Sequence, residues 1–313
     1  MSEVAKGVLP NVPLEAHPAA HAKTDEAPSL NLDSLKAAAL GFARSAYFVP
    51  TLILVVGVFL CFWPMLHQLP ELWLGEDGYY SHGFLIPFLS AYIIYLRWPK
   101  HKDTPAKPSV VAGVLLVPLL WLAYAAQVSK WDNGSSLFFL LTMILGTAFV
   151  AGWRWARNLL GPILFLAFCL PMWSLVIDNF TVPLQQFSTV MSTAILRICQ
   201  LHPIVADNVI YLDHFTLNVA VPCSGLKLLI AVSAFALLFI AISDLRWWAR
   251  VLMLAIALPL CIFINGFRIA LIGIVGDTWG DDAGHKFHDY SGYIALGVCF
   301  FILMRLTRIL GWK

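Results

Sequence analysis

Three residues far apart in the chain are of types that together can cut an acyl bond: Cys223, Arg268 and His288. Cys223 lies in Val221-Pro222-Cys223-Ser224-Gly225-Leu226-Lys227, at the edge of a long apolar run. A helix opening at Ser224-Gly225 and a lysine four residues after the thiol both favour thiolate over thiol. The thiolate is the nucleophile, so this setting suits attack on a carbonyl. The same context also suits a structural cysteine at a helix start. Arg268 belongs to Asn265-Gly266-Phe267-Arg268, inside another apolar run, with Asn265 on the same helical face. A buried arginine there costs about 2.5–3.5 kcal/mol on insertion scales and usually faces a cavity. Its guanidinium could stabilise an oxyanion, and snorkelling or pairing with Asp277 are the alternatives. His288 is the best general acid and base, with His285 its rival.

His285-x-x-His288 could also present two metal ligands on one helical face. No His-Glu-x-x-His motif or third ligand set accompanies the pair, so no metal and no cofactor is expected. The six cysteines, at 61, 169, 199, 223, 261 and 299, have no paired spacing. A zinc ribbon or a disulfide scaffold is therefore not indicated.

The elements that must position these residues are membrane helices. The chain is 60% hydrophobic and 12% charged, with a mean hydropathy of +0.78. That excludes a soluble domain and a nucleic-acid binder, and it indicates an all-α polytopic membrane protein. Apolar runs long enough to cross fall near 47–66, 83–98, 110–128, 136–152, 158–177, 225–243, 250–274 and 290–306. Residues 181–200, interrupted by Gln, Ser and Thr, are expected to lie along the interface or to pack as an extra helix. Residues 1–45 read as a retained, disordered or amphipathic cytoplasmic tail, and 46–313 as one transmembrane domain.

Charge supports eight spans with both ends in the cytoplasm. In that arrangement 15 of the 20 Lys and Arg lie inside. The five outside are Lys130, Arg197, Lys227, Arg268 and Lys286, as the positive-inside rule requires. The outer side then holds Asp77, Tyr80-Ser81-His82-Gly83, the segment 178–224 and a last loop, Gly-Asp-Thr-Trp-Gly-Asp-Asp-Ala-Gly-His-Lys-Phe-His. Alternating residues such as Val-Ile-Tyr-Leu-Asp-His-Phe-Thr-Leu-Asn-Val-Ala-Val suggest a small β-hairpin within 178–224. Arg268 would sit roughly 9 Å below the outer end of its helix. Thus Cys223, Arg268 and His288 converge on one side of the membrane.

In this order and topology, Cys223-Ser224-Gly225-Leu226, Asn265-Gly266-Phe267-Arg268-Ile269 and His288 with Gly292 resemble the exosortase/archaeosortase family. Tyr80-Ser81-His82-Gly83 matches that family's early signature, and the resemblance covers roughly 45–310. It implies a cysteine transpeptidase or protease of the bacterial inner membrane, multi-pass, with its active site on the periplasmic face. Its partners would be exported proteins with a C-terminal Pro-Glu-Pro-like motif, a transmembrane helix and a basic cluster, together with membrane lipid and an amine acceptor. The resemblance makes Cys223 the nucleophile, Arg268 the oxyanion or positioning residue and His288 the proton-transfer partner. Asn265, Lys227, Ser224, Tyr80 and His82 become supporting or substrate-binding candidates. Pro222 stands where Ala is common and Lys227 where Arg is frequent, which leaves the subfamily and its substrate motif open. The competing class is a transporter or an assembly component for surface polysaccharide export. A transporter would show inverted repeats and midplane charges, and the sequence has no internal repeat.

Overall fold

A computed structural model describes residues 48–75, 79–101, 104–219 and 221–311, together with Leu40 and Arg44. The expected N-terminal tail and Asp77 lie outside the described residues. The described residues fold as helices and one small sheet, joined by short turns. In order come α1 (Phe48–Cys61), α2 (Trp63–Leu66), α3 (Leu69–Leu74), α4 (Ile86–His101), α5 (Val110–Val128), α6 (Asp132–Ala151) and α7 (Trp153–Phe165). Then follow α8 (Ser174–Ile198), β1 (Ile204–Ala206), β2 (Val209–Tyr211), β3 (Thr216–Asn218), α9 (Leu226–Ile242), α10 (Trp247–Trp279) and α11 (Asp281–Ile309).

Helices α5, α6, α10 and α11 are each long and apolar enough to cross a membrane. The count reaches six if the two bent pairs, α1 with residues 63–74 and 153–169 with α8, each form one span. The protein is thus a multi-pass membrane protein, with four to six spans by length and composition where eight were expected. Of the eight expected runs, 83–98 and 225–243 give helices of only 16 and 17 residues, α4 and α9, and those at 47–66 and 158–177 are each broken by a bend. A 3-10 turn at Leu166–Cys169 precedes Leu170-Pro171, so α7 ends and α8 leaves at 59°.

Helix α8 corrects the outer segment. Of residues 181–200, expected to lie along the interface or to pack as an extra helix, 181–198 belong to a 25-residue helix packed along α10. Its buried face is polar: Thr181, Gln185, Ser188, Thr189, Ser192 and Thr193. Several of these hydroxyls are satisfied within the helix, as Thr189 Oγ1 donates to Gln185 O at 2.9 Å and Thr193 Oγ1 to Thr189 O at 2.7 Å. The expected hairpin is present but shorter than the 178–224 window. It forms β2 and β3, the last two strands of an antiparallel sheet ordered β1-β2-β3.

Helices α10 and α11 also differ from expectation. The loop predicted between them is helical except at Gly280, whose φ of 89° turns the chain. At 1.5 Å per residue their 33 and 29 residues run about 50 and 44 Å, against ~30 Å of hydrocarbon. The ends that meet at Gly280 carry Asp277, Asp281, Asp282 and Lys286 and are the polar ends. Phe215, just before β3, packs where a Cβ on Gly276 would come within 2.5 Å of its ring. The sheet therefore caps these polar ends. Beneath it, Ile210, Phe215, Leu217 and Val219 share one buried cluster with Cys223, Ile269 and Ile272.

Candidate active site

Cys223 lies in a 3-10 turn, Val221–Ser224, between β3 and α9. Gly225 then adopts φ 85° as the residue before α9. A side chain there would also meet Asn265, since a Cβ would come within 2.8 Å of its Nδ2. Only glycine combines that left-handed turn with so close an approach. The approach lets Asn265 Nδ2 donate to the Cys223 carbonyl at 2.9 Å. The same nitrogen donates to Ser188 Oγ at 3.0 Å, and Ser188 donates to the Ser224 carbonyl at 3.3 Å. Gln185 Nε2 donates to the Val219 carbonyl. The turn that carries Cys223 is therefore fixed from α8 and α10 together.

The thiol meets His288. Sγ lies 2.8 Å from Nε2, while Nδ1 is 3.3 Å from Asp289 Oδ1. Asp289 is largely exposed, so that second contact orients the ring only weakly. Arg268 lies alongside. Its Nε donates to Ser291 Oγ at 2.9 Å, Nη1 to Asn265 Oδ1 at 3.4 Å and Nη2 to the His288 carbonyl at 3.4 Å. Its charge also bears on the Cys223 sulfur.

The electrostatics favour thiolate. Burial pushes the Cys223 thiol up, as it must for a side chain only 5% exposed. The hydrogen bond to His288 and the charges of His288 and Arg268 more than offset it, and the thiol falls below its ordinary value. Lys227 acts elsewhere. Its charge falls on His82, which burial and then Lys227 push down to about 4, against a contact with the Phe168 backbone. Tyr80 accepts from the Trp173 N–H at 3.2 Å, and burial pushes its phenol up to about 12. His82 and Tyr80 thus belong to the packing of the 166–173 turn. Ser224 is buried and caps α9, accepting from the Leu226 N–H at 3.4 Å. His285 lies edge-on to Phe215, the ring centroids 6.1 Å apart.

The structure brings Cys223, Arg268, His288 and Asn265 together. Ser188, Gln185 and Ser291 were not singled out from the sequence. The available signal was the spacing of the polar residues in α8, which fall on one helical face and so mark a buried seam.

A thiol, an imidazole and a guanidinium at these distances have the geometry that forming and breaking a thioester requires. Comparison with the curated proteins and with solved structures returns no match. Residues 73–305, which include every residue of this site, match the profile of the transmembrane exosortases, and the chain belongs to that family.

Proposed function

We propose that the chain is a membrane cysteine transpeptidase that removes the C-terminal sorting tail of exported proteins. Family membership supports the reaction class, and the contact of Cys223 Sγ with His288 Nε2 at 2.8 Å carries the assignment. The Cys223 thiolate attacks the scissile carbonyl carbon, forming a C–S bond and moving the carbonyl electron pair onto oxygen. The Arg268 guanidinium stabilises that oxyanion. Collapse breaks the C–N bond while protonated His288 gives its Nε2 proton to the departing amine. The tail leaves and a thioester remains on Cys223. Neutral His288 then deprotonates an incoming amine, which attacks the thioester and releases the thiolate. Water in place of the amine gives hydrolysis.

The substrates are exported proteins whose tail carries a short Pro-Glu-Pro-like motif, a transmembrane helix and a basic cluster. The site works at the outer, periplasmic surface of a bacterial inner membrane. The charge asymmetry of the loops and the polar ends of α10 and α11 support that orientation. Co-expression with candidate tailed proteins tests the reading. A size shift that requires Cys223, is lost in Cys223→Ala and stays at or near background in Cys223→Ser is expected. Full processing by Cys223→Ala would defeat it.

A further inference from the structure

We infer that the free edge of β3 binds the substrate, taking the extended stretch beside the scissile bond as a fourth antiparallel or parallel strand. The inference rests on the transpeptidase reading and adds to it where the polypeptide lies.

The hydrogen-bond phase of the sheet decides which groups are free. Strand β2 pairs with β3 in the register Val209↔Asn218, Ile210↔Leu217, Tyr211↔Thr216. The flanking bonds run from Val219 N–H to Asn208 O and from Leu212 N–H to Phe215 O, each at 2.9 Å. In an antiparallel ladder bonded pairs alternate with non-bonded ones. Phe215, Leu217 and Val219 therefore turn their backbone groups toward β2, and Thr216 and Asn218 turn theirs away. The β1-β2 hairpin agrees. Its closing pair is Ala206↔Val209, which directs Ile210 toward β3. Among the described residues nothing bonds the N–H or C=O of Thr216 or Asn218, and both residues are exposed. An open edge of this kind recruits extended peptides through their backbones.

Position selects β3 over the other open edge, β1. The buried side chains of β3 and its successor, Leu217 and Val219, pack in the cluster that holds Cys223. Only four residues lie between Asn218 and Cys223, a reach of at most about 18 Å. All three residues of β1 are exposed, and β2 stands between it and β3. A polypeptide paired with β3 runs toward the thiol; one paired with β1 does not. Backbone pairing would also suit an enzyme that must accept many proteins through one short cleavage segment, because the bonds are independent of side chains.

Proline tests this with little disturbance. At 216 or 218 it removes an N–H that β2 does not use, and edge strands tolerate it on that side. Thr216→Pro and Asn218→Pro should raise KM about tenfold for a tailed protein that the wild type shifts in size, with kcat nearly kept. Val205→Pro, which removes the outward N–H of β1, should process normally. If a proline variant also alters Cys223 alkylation, the decision passes to the substrate. A peptide spanning the cleavage segment is methylated at one backbone nitrogen at a time, and wild-type cleavage should fail at every second position. Wild-type KM in both β3 variants, or an N-methyl series without that two-residue period, overturns the edge site. Processing that survives Cys223→Ala overturns the transpeptidase reading itself, and the edge site with it.

Discussion

Replacing His288 by glutamine separates the two things that hold the Cys223 thiol in its reactive state. Glutamine keeps a hydrogen-bond donor near Sγ but carries no charge and cannot shuttle a proton. Burial remains, because Cys223 is 5% exposed within a cluster of aliphatic and aromatic side chains. Burial is also the largest single influence on the thiol, and it acts upward. With the His288 contributions gone, only Arg268 opposes it, so the thiol must rise. The sign follows for pH. Thiolate is lost as pH falls through the thiol's own pKa, so the alkylation profile moves to higher pH in the variant. Below that pKa each unit is tenfold in thiolate, and a fall of about tenfold or more in iodoacetamide labelling at pH 7 is expected. Processing should fall further, by about 10²–10⁴-fold, because acid–base catalysis is lost as well. Labelling is read on the Cys223 peptide by mass spectrometry, in membranes, across pH. A His288→Gln profile that overlays the wild type would refute the argument, since the imidazole would then not govern the thiol.

Arg268→Lys keeps a charge and loses the planar fork, and processing should drop about 10²–10³-fold with the protein still in the membrane. His285→Ala should process within a few-fold of wild type; if it is inactive while His288→Ala is active, the histidine assignment is reversed. Ser188→Ala removes the acceptor for Asn265 and the donor to the Ser224 carbonyl, so a loss of up to about 10²-fold in kcat, restored in part by Ser188→Thr, is expected from steady-state rates. Reporter fusions at Lys107 and Arg246 should read cytoplasm, and fusions near Asp132 and Asp282 the outer side. An outer signal at Arg246 would put Cys223 on the wrong face.

The reactive residues were legible because each breaks a local rule of membrane sequence. A cysteine beside Ser-Gly at a span edge, an arginine within an apolar run and a histidine near another span each stand out against 60% hydrophobic composition. Their partners were less legible. Gln185 and Ser188 lie in a segment whose mean hydropathy is low, and low hydropathy reads as exposure. Here the polar face of α8 points inward, toward the carbonyls of the Cys223 turn, and residues such as Phe187 and Val190 are outside. The helical state of His288 was hidden for a related reason. Hydropathy reports where lipid ends, whereas a helix continues wherever its backbone bonds are made, and α10 and α11 continue past the lipid.

That extension explains how one site can serve both a membrane and an aqueous reaction. Asn265 and Arg268 lie near the middle of α10, with 11 residues from Arg268 to the helix end at Trp279. His288 lies seven residues into α11, opposite that upper half. The histidine therefore meets the thiol from a helix that turns back at Gly280, whereas a mobile loop would have to be ordered first. Two packed helices fix the separation of imidazole, guanidinium and thiol before any substrate arrives, and such preorganisation is where electrostatic catalysis gains most. The packing of Phe215 against Gly276 and Gly284 then ties the sheet to the same two helices. Sheet, Cys223 turn and His288 are thus packed on the same pair of helices, which would hold a strand on β3 in register with the thiol.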